Sequence, residues 1–212
     1  MRISLSADIL LRFAAKPLLF AACLVPFGLL VQGALLGGLG ANPLERVTDV
    51  TGQWGLRLLL ITLAISPLRR LTGWTWLHRF RRMLGLFAFF YVSMHLLTWI
   101  WLDQGLSWGN IAADIAKRPY VTVGFVAWVL LVPLAVTSTR AMMRRLGHRW
   151  QRLHRLVYLC ALLGLLHYFW LVKADLLQPM IYAGLLAALL AVRWRPQLLG
   201  RAAWSGRTVK AR

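Results

Sequence analysis

Three of the chain's five histidines fall between Gly147 and Trp170, in GHRWQRLHRLVYLCALLGLLHYFW: His148, His154 and His167. A fourth, His95, sits inside another apolar run, FAFFYVSMHLLTWIW. An ionisable side chain at membrane depth is costly, so a functional role is the default expectation. Imidazole is a strong ligand for haem iron, and two imidazoles fill both axial positions. An iron held that way has no open position for a substrate and passes electrons instead. A zinc site fits poorly, because no cysteine or carboxylate stands at ligand spacing near these histidines. The competing readings are an interhelical hydrogen bond for His95 and His167, and an interfacial residue in a basic loop for His154. His78 and His148 read as ordinary interfacial residues.

The elements that must carry these side chains are apolar and long. Of 212 residues, 59% are hydrophobic, and mean hydropathy is +0.64. The apolar residues fall in six blocks, about 17–39, 52–68, 83–102, 120–139, 156–172 and 177–192. Each approaches the ~20 residues a helix needs to cross a bilayer. None shows strand alternation, and only helices or closed barrels satisfy their backbone in lipid. The expected fold is therefore all-α: a single-domain bundle of six transmembrane helices joined by short connections, with no internal repeat. Pro26 and Pro133 are tolerable kinks in such helices. Cys23 and Cys160 each stand alone in an apolar run and read as small buried hydrophobes. With no CxxCH, covalent c-type haem is excluded. No cleavable signal is apparent.

The net charge of +19 could suggest nucleic-acid binding. The basic residues, however, sit in short clusters between apolar blocks, where they act as topology signals. Twenty of the 25 Lys and Arg fall on one side: the N-terminal segment, the loops around Arg69–Arg82 and Arg140–Arg155, and the tail. Five of the six acids, Glu45, Asp49, Asp103, Asp114 and Asp175, fall on the other. The basic side is expected to be cytoplasmic, with both termini inside. Arg57, near the outer end of the second block, is expected to snorkel outward, or else to pair with an acid in the bundle.

This orientation sets depth. His95 lies ~18 Å into the third block and His167 ~16 Å into the fifth, at 1.5 Å per residue. The two are nearly level in the outer half, as a haem clamped between two helices requires. His154 stands 13 residues before His167, ~19.5 Å deeper and roughly 140° round the helix, so a shared face needs a helix irregularity. The level position on the third block holds Arg81 or Arg82. An inner haem would combine His154 with His78, His148 or water. Arginine also matches haem propionates in bidentate fashion, which nominates Arg81, Arg82 and Arg57 as secondary contacts. Gly164, one turn before His167, would let a porphyrin approach.

Taken in order, GGLGANPLERVTDVTGQWGLRLLLITLAISPL (37–68), RRMLGLFAFFYVSMHL (81–96), KRPYVTVG (117–124), TSTRAMMRRLGHRWQRLHRLVYL (137–159), HYFW (167–170) and QPMIYAGL (178–185) resemble a known family. It is the MsrQ (YedZ-like) family of haem-binding membrane subunits of periplasmic methionine sulfoxide reductase systems, in the ferric-reductase-like transmembrane group. The resemblance implies b-type haem, one or two, at His95, His154 and His167, and an association with FMN. It implies a multi-pass protein of the bacterial inner membrane that takes electrons from the quinone pool. The electrons would go to a separate periplasmic molybdenum enzyme that reduces methionine sulfoxide in oxidised proteins. The chain itself would not be the enzyme, and its outward surface, Asn42–Gly52 and residues 103–119, would dock the partner. The rivals are a transmembrane ferric or metal reductase acting at the outer haem, and a histidine-relay transporter, which would be colourless.

Overall fold

The computed structural model describes residues 11–172 and 175–194. Arg2, Lys173 and the basic tail residues Arg195, Arg201, Arg207, Lys210 and Arg212, which enter the charge argument, lie outside the described residues. Helix α1 (Lys16–Leu36) follows a π turn at Leu11–Ala15, with Pro17 in its first turn, where a missing N–H costs nothing. Gly37, at φ 73°, ends it in the left-handed conformation that glycine adopts freely. Helix α2 (Pro43–Thr72) opens on Asn42, whose side chain accepts from the Glu45 N–H. At 30 residues it is ~45 Å long, well beyond the block read from its hydropathy.

Helix α3 (His78–Thr98) runs on through a π turn at Trp99–Asp103. The segment read as a connecting loop at 103–119 contains a helix, α4 (Trp108–Lys117). Ile111 is buried and Asp114 and Ile115 are half-buried on one side of α4, while Gly109, Ala112 and Ala116 are exposed on the other, so the helix lies as an amphipathic surface element. Then come α5 (Pro119–Val136), α6 (Arg140–Leu146), α7 (His148–Leu153), α8 (Leu156–Leu171) and α9 (Leu177–Trp194).

Five helical stretches are long and apolar enough to cross a membrane: 13–36, 75–103, 119–136, 148–171 and 177–194. Helix α2 is not among them, since Gln53, Arg57 and the basic pair Arg69 and Arg70 dilute its apolar content. It is nonetheless deeply enclosed, with Leu58, Leu59, Leu60, Leu63 and Ile65 all buried. A helix wrapped by protein need not present an apolar face to lipid all round. Helix α2 packs along α3, α5 packs along α8, α9 closes on α2 and α8, and α1 leans on α2 and α3. Lipid tails are as apolar as leucine, so close packing over small residues has to hold such a bundle. Ala88 and Ala161 are fully buried at these contacts, and Cys160 is 1% exposed. Both cysteines are buried and unpaired. Tyr91, also fully buried, donates its phenol to the Cys23 carbonyl at 2.7 Å and accepts from the Phe27 N–H at 3.1 Å. It thus inserts into the ladder of α1 beside the kink at Pro26.

Candidate cofactor site

Between α2, α3, α5 and α8 lies a cavity of about 730 Å³, within the roughly 300–1,000 Å³ span of small-molecule sites. Its lining runs from polar residues at the acidic end of the bundle, Asn42, Glu45, Asp49, Asp103 and Arg118, to apolar ones deeper in, Leu56, Leu131 and Cys160. His95 and His167 face each other across it, ring centroids 5.9 Å apart and ring planes crossed at 79°.

Each ring is held the same way. His95 Nδ1 is 2.9 Å from the Thr48 carbonyl, and His167 Nδ1 is 2.7 Å from the Tyr120 carbonyl. A carbonyl oxygen only accepts, so each Nδ1 carries a proton and each Nε2 is left as the basic nitrogen. Such a bond to the far nitrogen is the usual support of a metal-binding imidazole. The rings reach these carbonyls because a glycine follows one turn later. A Cβ at Gly52 would stand 3.0 Å from His95 Nδ1, and one at Gly124 would stand 2.7 Å from His167 Nδ1.

The two halves are copies. From carbonyl to histidine is 47 residues in each, and the glycine comes four residues after the carbonyl. The hairpin α2–α3 and the pair α5–α8 therefore repeat one plan, where the sequence reading saw no repeat. The residues that line the cavity and are identical in both halves are Gly52 with Gly124, Leu59 with Leu131 and His95 with His167, too few to stand out from apolar background. Trp128 Nε1, donating to Ser93 Oγ at 3.0 Å, ties α5 to α3 across the junction.

The remaining candidates lie elsewhere. His154 occupies the break between α7 and α8, so residues 154–167 are not one regular helix and the 140° offset does not apply. Thr137 Oγ1 gives its single proton to the Pro133 carbonyl at 2.6 Å. It therefore accepts from His154 Nε2 at 3.0 Å. Trp150 stacks on the His154 ring at 3.9 Å and donates to the Thr137 carbonyl. His78 and His148 are exposed at helix starts.

Arg57 neither pairs with an acid nor runs free. Its Nε donates to Tyr182 at 2.8 Å and its Nη2 to Gln53 at 2.9 Å, with Trp54 beneath. Arg81 contacts Ser66 at the basic end, and Arg82 is exposed. None of these three arginines lines the cavity; Arg118 does. It is held by Asp114 at 3.3 Å and by the Tyr120 phenol. Gly164 also lines the cavity. Sequence reasoning missed Arg118 and the two histidine-facing glycines; only the threonine- and tyrosine-to-glycine spacing could have flagged the glycines.

Apolar membrane-length helices around a paired-histidine cavity define a multi-pass α-helical membrane protein with a buried ligand site. The family described as "Ferric reductase like transmembrane component" matches residues 51–165, which contain α3, α5, His95 but not His167, and most of α2 and α8. A protein from Rhodospirillum rubrum named protein-methionine-sulfoxide reductase heme-binding subunit MsrQ is 59% identical over 185 residues, 86% of this chain and 88% of its own length. Proteins of the same name from Xanthomonas campestris pv. campestris strain 8004 and Herminiimonas arsenicoxydans are 55% and 54% identical, over 86% and 84% of this chain and 85% and 83% of theirs. No solved structure matches the chain. The chain belongs to the MsrQ family, within the ferric-reductase-like transmembrane group.

Proposed function

We propose that the chain is a haem-carrying electron-transfer subunit of a methionine sulfoxide reductase system, with the reductase itself a separate protein. The observation that carries this reading is the pair of imidazoles facing each other across a cavity, each with its Nδ1 engaged and its Nε2 free. Metal–imidazole bonds of about 2 Å on both sides of one ion place two ring centroids roughly 6 Å apart, and the observed 5.9 Å agrees. Among the described residues no group of three or more His, Cys, Asp or Glu side chains is set to hold a metal ion. Two histidines therefore need a partner that brings the remaining donors, as a porphyrin does. A bound b-type haem would supply one-electron chemistry. His95 and His167 would hold it axially, and Arg118 at the polar end would meet its propionates. His154 belongs to a second, inner redox position.

In this reading α2 is the sixth crossing, both termini are cytoplasmic, and the membrane is the bacterial inner membrane. The site then lies in the outer half. Electrons enter from the quinone pool and leave through the outward surface, around Asn42–Gly52 and α4, to a periplasmic molybdenum-containing reductase. The names of the relatives and the resemblance to the MsrQ family support the partner and the donor. The test is a reduced-minus-oxidised absorption spectrum of the purified full chain, with haem extracted and counted, followed by transfer to the reductase. A colourless protein would sink the proposal and favour a transporter. Reduction of ferric chelates without any partner protein would favour a metal reductase.

A further inference from the structure

We infer that Gly52 and Gly124 are positioning residues for the two imidazoles, fixing the tautomer of each ring and the crossed orientation of the pair. This rests on the proposal that the cavity holds a haem between His95 and His167. At most helix positions the side chain of the residue one turn after a carbonyl shields it from a neighbouring ring. Here that shield is absent at both sites, and the imidazole edge comes down onto a carbonyl of the neighbouring helix.

A methyl group at 2.7 Å from His167 Nδ1 has no room to coexist with the observed ring, and one at 3.0 Å from His95 Nδ1 makes that ring give by a few tenths of an ångström. The ring would lift away and turn, and the bond to the carbonyl would lengthen or break. The Nδ1–H···O=C bond makes the imidazole a stronger electron donor through Nε2. A stronger donor favours the oxidised metal. Weakening the bond therefore raises the midpoint potential. Turning the ring changes the angle between the two imidazole planes, now 79°, and that angle governs the g values of an iron with two axial imidazoles. Crossed planes give one large g value, and parallel planes give a more rhombic signal.

The experiment uses the full chain, purified with its haem, as wild type, Gly52→Ala, Gly124→Ala and Gly28→Ala. The last is a control, because a Cβ at Gly28 would meet no heavy atom within 4 Å. Each is examined by paramagnetic resonance, redox titration, haem content and gel filtration. Gly52→Ala should stay folded and keep its haem, with a shifted largest g value and a raised potential. Gly124→Ala, the tighter contact, should stay folded and show a larger shift or lose most of its haem. Gly28→Ala should match wild type. Two alanine variants with wild-type g values and potential would overturn the inference while leaving the haem proposal intact. Loss of the folded peak together with haem in both would also overturn it, making the glycines packing residues. A wild-type chain without haem would instead fail the underlying proposal.

Discussion

The acidic and basic ends of this bundle treat histidine in opposite ways. At the acidic end two histidines give their Nδ1 protons to backbone carbonyls and turn their basic Nε2 atoms toward a cavity. At the basic end His154 gives its Nε2 proton to Thr137 and is capped by the indole of Trp150. The repeated plan makes the contrast sharper. Thirteen residues before His167 stands His154, and thirteen before His95 stands Arg82. The repeat therefore keeps its symmetry at one end and loses it at the other. At the acidic end the basic nitrogens are left free for a ligand, whereas a ligand for His154 at the basic end would have to displace Thr137.

The contrast is easiest to break at its strong end. His95→Ala or His167→Ala should each remove the cavity haem entirely, read by the difference spectrum and by extraction. Full haem in both variants would end the assignment. His154→Ala should leave that haem in place. One haem per chain before and after assigns His154 to packing, whereas a fall from two to one gives it an inner haem. Charge reversal at Glu45, Asp49, Asp103 and Asp114 should slow reduction of the reductase, more at low salt than at high, in protein that still carries its haem. Unchanged transfer rates would move the docking surface elsewhere.

Tyr91→Phe should cost about 1–3 kcal/mol by stripping a hydrogen bond from two buried backbone groups, read as a lower melting temperature at constant haem content. The smallest effect concerns Asp49. Burial first, then the Glu45 carboxylate, raise its carboxyl above the ordinary 3.8, against the opposing pull of Arg46. An acid raised in the fold holds its proton more tightly there. Its contribution is therefore full below the ordinary value and is lost as pH rises through the raised one. Asp49→Asn should flatten that part of the stability profile, and an unaltered slope would discount the group.

Much of the helical plan was legible because membrane helices announce themselves by composition. The paired histidines were legible because orientation and rise alone made them level. What escaped depended on contacts. The length of α2 was hidden because a helix enclosed by protein can carry Gln53 and Arg57 without betraying itself by hydropathy. Helix α4 was hidden in a connection, its signal being two isoleucines, Ile111 and Ile115, one turn apart opposite small exposed residues. Arg57 reads from sequence as a charge in need of an acid or of water, but Gln53, one turn earlier on the same helix, and Tyr182, from a position no spacing rule links, answer it instead. The break at His154–Arg155 carries no proline or glycine to mark it.

The phenol of Tyr91 has a consequence for assembly. Helix α1 is exposed along much of its length, with Leu18, Leu29, Leu35 and Leu36 all facing outward. Its cross-bundle polar anchors, at Cys23 and Phe27, are both supplied by one residue of α3. Helix α1 can therefore be inserted and wait in lipid as an independent rod. Its polar fastening to the bundle, among the described residues, then rests on a single hydroxyl of α3.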